Sequence, residues 1–145
     1  MRCTLKNIVL SLALLALSAP AFAGWRDLTN LPAAVSDAVA AAADDGLYVM
    51  SGAPGKGLRQ FFEFYDTKND GWRPLTPMPA TLWRFSLTEG NGQLFVTGGR
   101  DQATGDMSSG VWMYTPQSAI WIELPALPQA RAGHASFFAD GSVYV

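Results

Sequence analysis

The chain has 145 residues, ten basic against twelve acidic side chains, one histidine, one cysteine and a net charge of −2. So small a charge, with its lysines and arginines scattered, excludes an electrostatic nucleic-acid surface. One cysteine and one histidine exclude a disulfide framework and a Cys/His metal cluster within the chain.

Arg2 and Lys6 precede an apolar run over residues 8–17, and Ala21-Phe22-Ala23 follows. This is the layout of a secretory signal peptide cleaved before Gly24. The run is far short of the roughly twenty residues that cross a bilayer, so no membrane span is expected after cleavage. Cys3 would leave with the leader; it precedes the apolar run, unlike a lipidation cysteine. Without Arg2 and Lys6, eight of the ten basic residues remain against twelve acidic, a charge of −4. The predicted location is periplasmic or secreted.

Residues 24–32, with Trp25, read as an outer strand. Residues 33–43 are alanine-rich and have good helix propensity; the register of the later segments predicts an inner strand instead. Asp44-Asp45-Gly46 reads as a hairpin turn in which Asp-Gly supports positive φ, and 47–51 as a second strand. The glycine-rich loop 52–59 carries Lys56 and Arg59. It lacks the Gly-Lys-Ser/Thr ending and no helix follows, so it is not a phosphate cradle. A third strand over 60–65, a polar turn over 66–71 and an outer strand over 72–75 complete the unit. The order then repeats. An inner strand is predicted over 81–89, a turn at Gly90-Asn91-Gly92 and a second strand over 93–97 ending in Gly98-Gly99. A long loop over 98–110 holds Arg100, Asp101 and Asp106. A third strand over 111–114 and a fourth over 120–124 follow. The last stretch predicts an inner strand over 134–139, an Asp140-Gly141 turn and a second strand running to Val145.

Trp25, Trp72 and Trp121 lie 47 and 49 residues apart, and each stands seven positions before a proline (Pro32, Pro79, Pro128). A period near fifty residues with several short strands per unit marks a propeller repeat. The chain from Gly24 onward resembles the kelch-repeat β-propeller family, most closely at Leu127-Pro128, Arg131 and Gly133-His134-Ala135. The middle unit puts Trp83-Arg84-Phe85 where the last has Ala132-Gly133-His134. The resemblance implies an all-β fold of four-stranded antiparallel blades in an incomplete propeller of about two and a half blades. The expected division is a signal peptide over 1–23, an outer strand over 24–32, blades over 33–79 and 80–128, and a half blade over 129–145. The outer strand would belong to the blade that closes the ring. Since two and a half blades cannot close, the chain is expected to be part of a larger propeller, or to close with copies of itself or another chain.

Trp25, Trp72 and Trp121 are predicted to pack between blades, and Tyr48, Phe95 and Tyr144 to occupy equivalent core places. Gly98 and Gly99 mark a point where side chains do not fit. Loops on one propeller face gather binding residues. The connections leading into inner strands supply Trp83, Arg84, Arg131 and His134. Those between second and third strands supply Lys56, Arg59, Arg100, Asp101 and Asp106. Arginines gathered there suit a carboxylate, and each taken singly also reads as a solvated surface charge. The candidate ligand-binding residues are Arg59, Arg84, Arg100, Arg131 and His134, the last also readable as a packing histidine.

The predicted function is an exported module that binds a protein or glycan partner, such as a carboxylated sugar, through one propeller face. The alternative is an enzyme similar to the N-acetylneuraminate epimerases, suggested by the leader, the Ala132-Gly133-His134 sequence and the basic face. Mutarotation needs a general acid and base, and no pair can be named, so the catalytic residues are unknown. Copper oxidases of the galactose-oxidase kind share the propeller architecture, but their copper ligands and thioether-linked tyrosine have no counterpart here. No metal, cofactor or nucleic acid is expected.

Overall fold

The computed structural model describes residues 24–52 and 60–145, and the predicted signal peptide lies outside them. The described residues form strands and turns and no helix. Strands β1 (Ala38–Ala43), β2 (Gly46–Ser51), β3 (Phe61–Asp66) and β4 (Gly71–Pro74) make one four-stranded antiparallel sheet in sequence order. The alanine-rich segment is therefore a strand. Its small side chains suit an inner position, and pairing with β2 from Ala38↔Ser51 to Ala43↔Gly46 overrides its helix propensity.

A second four-stranded sheet has the order β6 (Ser86–Gly90), β7 (Gln93–Thr97), β9 (Val111–Thr115), β10 (Ile120–Leu124). The single inner strand expected over 81–89 is broken. Leu82–Trp83 forms a separate strand, β5, paired with β8 (Arg100–Asp101) inside the long loop. The break falls at Arg84, whose φ of 53° lies in the left-handed region and ends strand geometry. A two-stranded ribbon, β11 (Phe137–Ala139) with β12 (Ser142–Tyr144), follows.

The turns obey two rules. Asn91-Gly92 and Asp140-Gly141 have positive φ at both residues, the twist that two-residue hairpins favour. Asp44, Asp45 and Gly46 do not adopt positive φ, contrary to the Asp-Gly reading. Gly46 is instead the first residue of β2, paired with Ala43, and a Cβ there would meet the Phe64 ring at 2.4 Å. Asp70 and Ala119 hold equivalent left-handed positions, each two residues before a tryptophan.

The core lies between the two sheets. Met50, Phe62 and Phe64 of the first pack with Leu87, Leu94, Val96 and Tyr114 of the second. Burying each such side chain contributes about 1.5–3 kcal/mol. Tyr65 pairs with Trp72 and Tyr114 with Trp121 across adjacent strands, with ring centroids 5.0 and 4.9 Å apart. The Trp121 indole N–H donates to the Thr76 carbonyl at 2.8 Å, and that of Trp72 to the Thr29 carbonyl at 3.0 Å. Thr29 and Thr76 each stand four residues after the preceding tryptophan, so the two bonds stitch successive units together.

Two expected core residues differ. Trp25 is fully exposed, and residues 24–32 form no strand. An outer strand adds to a third strand, and β3 and β9 already carry β4 and β10. The segment is held instead by Asp70, which accepts the Thr29 N–H at 2.9 Å. Tyr144 is exposed and stacks on Phe137 at 5.0 Å, because nothing among the described residues covers β12. Tyr48 and Phe95 are buried.

Candidate functional site

A residue one to four places before each inner strand is left-handed where the repeats align: Asp37 (φ 50°), Arg84 (φ 53°) and Gly133 (φ 67°). They are 47 and 49 residues apart and stand twelve residues after Trp25, Trp72 and Trp121. The conformation suits glycine, is tolerated by aspartate, and costs an arginine about 1–2 kcal/mol. The Gly133 N–H donates to the Arg84 carbonyl at 2.8 Å, joining successive units at this point.

Asp37, Arg84 and Gly133, with Ala38, Phe85 and His134 beside them, line one shallow depression of about 350 Å³. The Arg84 side chain is exposed, its guanidinium 4.8 Å from the Trp83 ring centroid. Trp83 is fixed in turn by pairing with Arg100. His134 replaces the Phe85 of the preceding unit. Its Nε2 lies 3.0 Å from the Thr97 hydroxyl, while its Nδ1 is buried with no hydrogen-bond partner. Burial, aided by the Arg131 charge, lowers its pKa.

Of the described arginines singled out in the sequence, only Arg84 lines the depression. Arg100 donates from Nη1 to the Gly105 carbonyl at 2.7 Å and so braces its own loop. Asp101 accepts the Ala103 and Thr104 amides at 2.8 and 2.9 Å, which hold its carboxyl below the usual range, the Thr104 bond most strongly. The Asp106 carbonyl accepts the Asp101 N–H within the same loop. Arg131 donates from Nη1 to the Val145 carbonyl at 3.3 Å and also acts through its main chain. Its carbonyl accepts the Gly99 N–H at 2.8 Å, and a Cβ on Gly98 would stand 2.4 Å from that oxygen. Lys56 and Arg59 lie outside the described residues.

Sequence reasoning missed Asp37, which was absorbed into the alanine-rich strand. The signal was present in its spacing of twelve from Trp25, matching Arg84 and Gly133. The depression thus offers one carboxylate, one guanidinium and one imidazole. Among the described residues no three His, Cys, Asp or Glu side chains gather as metal ligands.

Four-stranded antiparallel sheets that repeat every 47 to 49 residues and pack face to face are the blades of a β-propeller. The kelch motif matches residues 84–128. Kelch-like protein 26 of Mus musculus is 31% identical over 126 residues, covering 83% of this chain and 20% of its own length. Kelch-like protein 30 of Mus musculus is 34% identical over 86 residues, 57% of this chain and 15% of that protein. The solved structure of YjhT superposes with a TM-score of 0.68 at 24% identity, covering 80% of this chain and 35% of that one. The chain belongs to the kelch-repeat β-propeller family. It spans a fifth or less of the length of these curated relatives.

Proposed function

We propose that this chain supplies part of the binding face of an exported interaction module, and that a carboxylate-bearing partner, protein or glycan, is taken at the depression between Asp37, Arg84 and His134. Arg84 carries this reading. It keeps a left-handed backbone that its equivalents give to aspartate and glycine, and such strain collects at ligand sites. Its guanidinium, laid against Trp83, is pre-organised for bidentate pairing with a carboxylate. Asp37 across the depression accepts donors such as hydroxyls or amides. The kelch-like relatives support a binding role, and export rests on the leader-like residues 1–23.

The test is calorimetric titration of the full-length protein with N-acetylneuraminate and with an acidic peptide. At least one should bind, and Arg84→Ala should weaken it about tenfold, the scale of a lost charge-assisted hydrogen bond. Equal affinity of the variant for both defeats the proposal. Acceleration of sialic acid anomer exchange by the same protein would replace it with the enzymatic reading.

A further inference from the structure

The two blades fill the space beside their third strands differently. Glu63 of β3 pairs with Pro74, two residues after Trp72, and Trp112 of β9 pairs with Glu123, two residues after Trp121. Glu63 and Trp112 are 49 residues apart, as those two tryptophans are, so Glu63 stands where the next unit has an indole. Trp112 packs against the core that includes Met78 and Leu82 of the segment leading into its blade. A carboxylate cannot fill that volume. In the first unit the corresponding place, between residues 32–35 and β3, is a cleft of about 440 Å³. We propose that this cleft is a binding site, separate from the depression, and that it takes an arylalkylamine: an aromatic ring carrying a primary ammonium group.

Size and lining argue for the ring. Pro32 and Val35 line the cleft from the entering segment, and Phe61, Pro74 and Leu75 line it from the blade. Phe61 is buried and set edge-on to Trp72, with ring centroids 6.4 Å apart, which fixes that wall. A mostly apolar cleft of a few hundred Å³ with very few polar groups is how small-molecule sites are built. A flat ring there removes a large apolar area from water. The cleft and the depression share no lining residue.

Glu63 argues for the ammonium. It is the one charged side chain among the described residues of the lining, and no described residue pairs with it or donates to it. Gln60, the other polar side chain there, donates its amide N–H to the Ala80 carbonyl. Burial raises the Glu63 pKa, a penalty on the carboxylate that a cation at hydrogen-bond distance reverses. The cleft therefore favours a positive group attached to the ring and opposes a negative one. A ring without charge would gain the apolar contacts alone.

Two probes test this, tryptamine and indole-3-acetate, which share a ring and carry opposite charges. Each is titrated into the full-length protein while the Val35 and Glu63 amides are followed by NMR. Tryptamine should shift both amides, and indole-3-acetate should leave them in place. Glu63→Gln keeps the shape of the side chain and removes its charge; it should weaken tryptamine about tenfold. Glu63→Trp copies the equivalent residue of the next unit, fills the cleft and should abolish the Val35 response. No shift with tryptamine, an equal shift with indole-3-acetate, or tryptamine binding unchanged in Glu63→Gln would overturn the proposal.

Discussion

The hydroxyl of Thr97 lies 3.0 Å from Nε2 of His134, joining the end of β7 to the entry of the next inner strand across 37 residues of sequence. The other ring nitrogen is buried without a partner. Protonating His134 would put a charge where burial and Arg131 oppose it, so its folded pKa falls below the ordinary 6.5. The unfolded chain then binds the proton more readily. Stability is full above pH 6.5 and declines as pH falls through the depressed folded value. His134→Phe, which copies Phe85 at the equivalent position, should flatten this slope. Denaturant midpoints taken from neutral pH down to about pH 5 check it; an equal slope in the variant contradicts the assignment.

Ala119 is a second point of stress. It adopts φ 56° where the preceding unit has Asp70 at φ 48°. Alanine gains nothing there to offset the crowding of its Cβ. Ala119→Gly or Ala119→Asn is expected to stabilise the protein by about 1 kcal/mol, read as a raised denaturant midpoint with an unchanged slope.

Two glycines separate the cost of conformation from the cost of space. Gly105 has φ 77° and open surroundings, so Gly105→Ala should cost about 1–2 kcal/mol from backbone strain alone. Gly98 has φ 60°, and its Cβ would stand 2.4 Å from the Arg131 carbonyl and 2.7 Å from His134 Cε1. Gly98→Ala should cost about 3–5 kcal/mol. Similar losses for both would show that the close approach of β7 to the next unit is not tight in solution.

Trp121→Phe keeps an aromatic ring against Phe62, 5.5 Å away, and removes the donor to Thr76. The expected loss is about 1 kcal/mol, with the same for Trp72→Phe, whose donor reaches Thr29. Trp121→Ala also removes the ring and should cost about 3 kcal/mol. Urea unfolding of the three variants distinguishes bond from ring.

The strands were legible because the tryptophans set a register and every later feature could be counted from them. That register identified Ala38–Ala43 as a strand against its own propensity. It failed at Arg84 because an arginine gives no local sign of a left-handed backbone; glycine or asparagine would have. It failed at Trp25 because a repeat motif encodes a position in a blade without supplying the neighbouring strand. Asp37 could have been found by the same count of twelve that places Arg84 and Gly133.

In the tryptophan stitch each unit provides an indole N–H to the unit before it and a main-chain carbonyl to the unit after it. Both halves of the joint are thus carried within a single copy. Duplicating one stretch of 47 to 49 residues in frame inserts a new blade whose two joints already match its neighbours, without a compensating change elsewhere. Because the acceptor is backbone, its side chain is free to drift. Pro125, four residues after Trp121, has lost its N–H but keeps the carbonyl a following blade would need. An array joined in this way can grow or shrink by whole blades faster than it could evolve a new interface.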